Sequence, residues 1–425
     1  SNYNPLNNTL ELAGLGDIPM NMGVKTYYNN FAPRIGIAYR PTDKWVVRSG
    51  YGISYIPRRT GQSNFPVLDN DSWPASNGFV PSPVTMATGF PAPTPRQLPA
   101  SGIITNPALT SNYGSTPLDV KVGYVQSWNF AIQRQLPFNF AGEVAYVGNH
   151  GVNNQSEFNI NASMIPGSGN AGRPLFQRFG RTGNVTTFIG THTYYNGLQA
   201  KLDRRFSNGL MITTAYTFSK AINFSEDNGA PPISLNLQLN KAQMSDNRRH
   251  VYTQSFLYQL PFGKGRHWGG NAFTNTIFGG WQVQGIVSLM SGTWFSPTAP
   301  DALLNAPGNQ QRPNLVGKVN YPKLIGPGEQ FFDKSAFQVP AQNTLGNAGR
   351  NILEGPRFMN VDGSVFRDFR IREGMTATFR LEAFNATNTP HYNNPVADIN
   401  SPLFGQINAA EQDQRQLQLA LTFRF

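Results

Sequence analysis

The chain of 425 residues contains no cysteine. That absence excludes disulfide scaffolds, thiolate zinc sites and cysteine nucleophiles together, and leaves the redox compartment unreadable. Charge is scarce as well. Asp, Glu, Lys and Arg make up 13% of the residues, about half the share of an ordinary globular domain. No apolar run approaches the 18 or so residues that a spanning helix requires, so a membrane role has to use strands of about ten residues each. There is no Gly-x-Ser-x-Gly elbow and no carboxylate pair set for acid–base chemistry, which makes an enzyme the least supported class. No signal peptide opens the chain. Ser1-Asn2-Tyr3-Asn4-Pro5 reads as the middle of a loop, and the expectation is a true N-terminus further upstream.

What is present is glycine (42 residues), proline (32) and aromatics (12%), a mix that favours strands, turns and long loops. Mean hydropathy is negative. A barrel permits this, because half of each strand faces water and the loops are polar. The net charge of +11 comes from scattered Lys and Arg without runs of like charge. It is a bulk property compatible with anionic lipid headgroups and lipopolysaccharide, with no footprint for nucleic acid.

The closing stretch Gln416-Leu417-Gln418-Leu419-Ala420-Leu421-Thr422-Phe423-Arg424-Phe425 alternates without exception. Successive strand side chains point to opposite faces, so its leucines and phenylalanines share one side. The same alternation recurs from Phe31 to Arg40, through Trp45 to Tyr55, from about 120 to 136, from Phe140 to Tyr146, around Leu198 to Phe206 and Leu210 to Phe218, up to Leu260, and around Trp281 to Leu289, Met359 to Val365 and Ala377 to Ala383. Eleven strands are expected. Their connections alternate between short turns, such as Pro41-Thr42-Asp43 and Ser207-Asn208-Gly209, and long polar loops over 56–119, 149–192, 221–250, 291–357 and 386–413. The segment 261–280 is the longest of the short-side turns. Short turns at one end and long loops at the other describe an all-β, antiparallel up-and-down transmembrane β-barrel with periplasmic turns and extracellular loops. That places the protein in the outer membrane of a Gram-negative (diderm) bacterium. An even-stranded barrel with both ends periplasmic cannot have eleven strands. The whole chain, 1–425, is therefore expected to be the C-terminal part of a larger barrel.

Tyr39, Trp45, Phe206, Trp281 and Phe423 lie at the short-turn ends, as do Phe138, Phe140, Phe369 and Phe425. A headgroup girdle would sit there. On the polar faces fall Arg48, Glu143, Lys201, Asp203, Arg380 and Glu382, a lumenal set expected to pair as opposite charges across neighbouring strands. The long loops carry Trp73, Phe79, Phe90, Tyr113, Trp294 and Phe295 among Asn, Ser, Gly and Pro. Such a mix suits ligand contact with aromatic anchors, and equally suits packing over the barrel mouth.

Other signals are weak. The five histidines (His150, His192, His250, His267 and His391) are far apart in sequence with no metal-ligand spacing, so neither a metal nor any cofactor is expected. Gly167-Ser168-Gly169-Asn170-Ala171-Gly172 matches GxGxxG, but no strand precedes it and no helical pattern follows. It is expected to be a flexible loop. Asp69 and Asp71 depart from the calcium-loop pattern.

Seven local motifs run along the chain: Asn30-Phe31-Ala32-Pro33-Arg34-Ile35-Gly36, Arg48-Ser49-Gly50-Tyr51-Gly52, Gln126-Ser127-Trp128-Asn129-Phe130, Ala215-Tyr216-Thr217-Phe218-Ser219-Lys220, Asp246-Asn247-Arg248-Arg249-His250, Leu260-Pro261-Phe262-Gly263-Lys264-Gly265 and Phe379-Arg380-Leu381-Glu382-Ala383-Phe384-Asn385. Together they resemble the C-terminal barrel of Oar-type TonB-dependent receptors. The resemblance implies a 22-stranded barrel, with a plug and an N-terminal domain that this chain lacks, and contact with TonB only through that plug. It further implies uptake of a large or scarce nutrient, or else a surface structural or adhesive role, and Phe425 as the signal for the barrel assembly machinery. The extracellular ligand has no readable code. A secreted all-β binding protein is the soluble alternative. Deleting Phe425 is expected to lower surface levels of the full-length protein far more than its ligand binding, as surface labelling would measure; unchanged surface levels would oppose the assembly role.

Overall fold

The computed structural model describes residues 1–57, 87, 89, 97–119, 121–226, 229–263, 268, 272–321, 325–410 and 414–425. Eleven strands dominate it: Arg34–Thr42 (β1), Trp45–Tyr55 (β2), Tyr124–Leu136 (β3), Phe140–Asn159 (β4), Val185–Ser207 (β5), Leu210–Asn223 (β6), His250–Gln259 (β7), Trp281–Met290 (β8), Phe358–Arg372 (β9), Met375–Phe384 (β10) and Gln416–Arg424 (β11). They form one antiparallel sheet in which each strand pairs with its neighbours in sequence. Two short strands, Tyr113–Ser115 and Ala242–Gln243, join its flanks. This is the expected up-and-down order.

The short turns follow from local chemistry. Asn208 and Gly209 have φ of 52° and 78°, which a two-residue hairpin of the favoured twist requires. Phe138 and Asn139 also carry positive φ, 60° and 62°. Phe138 is 83% exposed beyond the sheet, where a bulky residue in this conformation meets the fewest neighbours. The connection from β7 to β8 is larger and holds a helix, Ala272–Phe278 (α1).

Register decides the faces, because directly opposed residues point to the same side. One row runs Tyr39, Val47, Ile132, Val144, Ala200, Tyr216, Tyr252, Leu289, Met359 across nine strands. Another runs Leu419, Leu381, Val365, Val283, Tyr258, Leu210. The neighbouring row on the opposite side reads Gln418, Glu382, Ser364, Gln284. The apolar face stays uncovered: Ile35, Ile37, Leu417 and Leu419 are 66 to 69% exposed. That is the lipid-facing band, and the opposite face lines the lumen.

The dry core lies outside the sheet. Phe331, Phe332, Phe337, Leu353, Phe404 and Ile407 form one cluster in the loops 291–357 and 385–415. Tyr3, Leu10, Tyr113, Leu175 and Val185 form a second, which draws in the first residues of the chain. The opening stretch, where Ser1 to Pro5 reads as loop, includes two short paired strands, Asn2–Asn4 and Thr9–Glu11. The connection expected over 149–192 is shorter, 160–184, because β4 and β5 keep pairing up to Asn159↔Thr186. Above the bilayer neither face meets lipid, so the ladder continues after the apolar alternation has stopped.

Placing an arginine on the lipid face should be costly and placing one on the lumen face should not. Val287→Arg is expected to destabilise the barrel by roughly 2–4 kcal/mol, the range for cations near the bilayer midplane. The adjacent Ser288→Arg should leave it within about 1 kcal/mol, since lumen positions tolerate charge. Urea titration in lipid vesicles would compare the two, and equal losses would contradict the assignment of faces.

Candidate functional site: lumen wall and loop layer

The register puts all six of these charges on the parity opposite the exposed apolar band. Arg48 lies between Ala38 and Ala131, Glu143 faces Lys201, Asp203 lies between Ala141 and Thr213, Arg380 between Phe366 and Ala420, and Glu382 between Ser364 and Gln418. Two ion pairs among them run along strands, while Glu143 stands opposite Lys201 across the β4–β5 ladder. Lys201 Nζ is 2.8 Å from Asp203 Oδ2, and Arg380 is 3.5 Å from Glu382 Oε1. Long side chains two residues apart on one strand face reach each other easily. Both pairs are partly open to water, so each stabilises the wall only slightly. Arg48 has no ion partner among the described residues.

Sequence reading passed over an apolar interruption of this wall. Met211, Ile286 and Phe384 are 40%, 48% and 45% exposed on the inner face. With Leu257, Asp362 and Glu382 they line a depression of ≈ 310 Å³. The signal was available, since Ile286 sits at the polar parity between Gln284 and Ser288.

Above the wall the loops are held by buried arginines. Arg181 is fully buried and lies 4.8 Å from the ring centres of both Tyr3 and Tyr113. It donates to the Tyr3 hydroxyl (3.1 Å) and to the carbonyls of Ser111 (2.9 Å) and Pro107 (3.4 Å). Burial raises the Tyr3 phenol above its ordinary range, against the pull of Arg181. Arg350 donates to Glu226 Oε1 (2.5 Å), to the carbonyls of Asn240 (2.8 Å) and Asn223 (3.0 Å), and to Asn223 Oδ1. Arg312 donates to Leu239 O at 3.0 Å. Burial, with Arg350 beside it, lowers Arg312 to about 10.

The loop aromatics divide. Tyr113 is buried and stacked on Tyr3 at 5.6 Å. Phe295 packs against the larger cluster, 6.2 Å from Phe332. Trp294 is partly buried under Arg249 at 4.9 Å, and its indole N–H has no hydrogen-bond partner among the described residues. Trp73, Phe79 and Phe90, with Asp69 and Asp71, lie outside the described residues.

Two histidines that are distant in sequence meet in space: pairing of β4 with β5 brings His150 Nε2 to 3.3 Å from His192 Nδ1, and His150 stacks on Tyr194 at 4.5 Å. No group of three or more potential ligands that could hold a metal occurs among the described residues. The Gly167 to Gly172 segment is no flexible loop. Gly169–Gly172 forms a 3-10 turn, with Gly172 packed so closely on the Ser163 and Ser168 hydroxyls that a side chain would collide with them.

At the opposite rim stand Tyr39 (63% exposed), Phe206 (52%) and Phe423 (51%), with Trp45 and Trp281 half-buried. Trp281 meets Phe379 and Phe369 edge-on at 6.0 and 6.5 Å, and its indole N–H donates to Ile277 O in α1 at 2.9 Å. Phe425 projects past β11, 98% exposed.

The family described as "Outer membrane beta barrel domain" matches residues 1–418. The chain belongs to that family. It is an outer-membrane barrel chain of a Gram-negative bacterium. Similar solved structures include the pyoverdine outer membrane receptor FpvA from Pseudomonas aeruginosa PAO1, with 11% identity and a TM-score of 0.44 over 93% of this chain and 36% of that one. The siderophore receptor PiuA from Acinetobacter baumannii has 10% identity and a TM-score of 0.43 over 92% and 35%. The FrpB iron transporter from Neisseria meningitidis (F3-3 variant) has 10% and 0.42 over 93% and 39%. The barrel chain spans little more than a third of the length of each. No curated protein matches it.

Replacing Arg350 by Met removes the donor to the carbonyls of Asn223 and Asn240 and to Asn223 Oδ1, while Glu226 keeps only Asn351 and Asn223 as donors; each buried unsatisfied polar group costs roughly 1–3 kcal/mol. The loop layer of the variant is expected to be cut by protease at least tenfold faster while the strands stay protected. Unchanged cleavage would show that Arg350 does not organise the loops.

Proposed function

We propose that this barrel chain is the C-terminal part of a TonB-dependent receptor that takes up a large or scarce nutrient. The observation that carries the reading is a polar lumen wall, interrupted by the Met211–Ile286–Phe384 patch, standing under a folded loop layer. A wall of this kind suits a protein segment seated inside, and the loops suit capture of a ligand before it enters. The Oar-type motifs support the same assignment. At the two margins of the sheet, β1 and β11 each leave an edge unpaired among the described residues, and hydrocarbon does not tolerate such edges. The reading therefore includes further strands, up to 22, and a plug through which TonB acts. Lipopolysaccharide surrounds the loop end, and Phe425 addresses the barrel assembly machinery. The six loop aromatics named above are the proposed ligand contacts; of the described three, Trp294 and Phe295 are partly exposed and Tyr113 is buried.

A second reading is an Oar-like surface structural or adhesive role without active transport. The observation favouring it is the burial of Tyr113 and the packing of the partly buried Phe295 against a loop core, which leaves fewer aromatic anchors free.

Cells with and without the full-length protein, each in TonB-proficient and TonB-deficient form, separate the two. Transport is expected to deplete a component of the medium only where both are present, and loss of TonB should abolish that depletion. Cell–cell attachment that depends on the protein but is indifferent to TonB, with no depletion, would overturn the transport reading.

A further inference from the structure

On the lipid face, close to the short turns, three arginines break the apolar pattern. Arg134 opposes Trp45 and Gly142, Arg204 opposes Phe140 and Ile212, and Arg367 opposes Trp281 and Phe379. Each guanidinium lies against a girdle ring: Arg134 at 4.7 Å from Trp45, Arg204 at 5.4 Å from Phe140, Arg367 at 4.4 Å from Phe369. Arg204 and Arg367 turn donors inward, to Ser207 O (3.3 Å) and Ile277 O (2.8 Å). Arg134 is exposed and has neither a hydrogen-bond nor an ion partner among the described residues.

Beside Arg134 the sheet is hollow. Its opposed residue, Gly142, has no side chain, and the next small residues outward are Ala200 and Thr214. Ile132, Val144, Leu202 and Tyr216 wall a groove of ≈ 440 Å³ there. Arg134 closes its rim end, and the groove extends from there along the lipid face.

We propose that Arg134 and this groove form a binding site for an anionic glycerophospholipid of the periplasmic leaflet. A guanidinium offers five donors in a planar fork that matches phosphate oxygens. Trp45 holds it at headgroup depth, where aromatic belts sit. The apolar groove beside it takes part of an acyl chain, which a free phosphate does not possess. Charge complementarity at the rim and apolar shape beneath it therefore select one occupant, a lipid with an anionic head.

The test is native mass spectrometry of the intact outer-membrane protein in mild detergent, titrated with phosphatidylglycerol. Wild type is expected to retain one lipid more than the variants do, with tighter binding than of phosphatidylcholine. Arg134→Gln should weaken that binding about tenfold and Arg134→Lys should restore part of it. Ala200→Leu, which fills the groove with an apolar side chain, should weaken it without touching the charge. Lys318→Gln, in an exposed loop, should change nothing, and heat-modifiable gel migration verifies that every variant is a folded barrel. Retention of phosphatidylglycerol by folded Arg134→Gln at wild-type affinity would overturn the proposal. So would displacement of the lipid by millimolar inorganic phosphate with Ala200→Leu silent, which would mark an adventitious ion site.

Discussion

Inside hydrocarbon every backbone N–H and C=O has to find its partner within the protein. In this chain a single ladder joins β1 to β11 in sequence order and satisfies the strands between those two margins, and the other features of the barrel follow from it. Sequential antiparallel pairing makes half of the connections short. Fixed register then carries one parity of every strand to the lipid and the other to the lumen, so Tyr39 and Met359, over three hundred residues apart, stand in one continuous row. A slip of one residue in β8 would put Gln282, Gln284 and Ser288 into lipid, and one in β10 would put Arg380 and Glu382 there.

The loop layer solves the same backbone problem without a ladder. Its segments are irregular, so their carbonyls need donors from side chains. Arginine supplies five donors on one planar group. Arg181, Arg350, Arg312 and Arg173 all spend theirs chiefly or partly on loop carbonyls. Aromatic faces and apolar clusters then exclude water around them. The lowering of Arg312 to about 10 records the penalty of that burial. A charge held in this way restricts the loops to one arrangement, since any other would strand the guanidinium. Lysine, with a compact ammonium, could not bridge as many carbonyls at once.

Most of the sheet was legible in the sequence because two-residue periodicity is enforced wherever one face meets lipid. The strand count and the order of short and long connections could be read for that reason. Where lipid ends, the constraint ends. The upper parts of β4 and β5 alternate poorly, and the bulge between Gly151 and Asn154 shifts their register, so those extensions looked like loop. The histidine contact between His150 and His192 arises from pairing above that level. The loop cores were illegible for a different reason: Tyr3 meets Tyr113 and Arg181, and Arg350 meets Asn223, through contacts over a hundred residues apart that no local pattern encodes. The girdle was readable as composition near turns, but not which aromatic each arginine would lie against.

Departures from the alternation divide by depth. Outward arginines occur in the described strands where the short turns begin, and an arginine near the interface costs roughly 0–1 kcal/mol against roughly 2–4 at the midplane. That gradient explains why Arg134, Arg204 and Arg367 are tolerated beside Trp45, Phe140 and Phe369. Inward apolar residues face no such gradient, because the lumen is not graded from polar to apolar along its axis. The grouping of Met211, Leu257 and Ile286 on the adjoining β6, β7 and β8 with Phe384 on β10, beyond the intervening β9, therefore cannot be ascribed to depth. Exposed apolar side chains gathered on a polar wall gain only when something apolar covers them, whereas scattered ones would gain nothing. Outside, position relative to the bilayer accounts for the exceptions; inside, only a partner can.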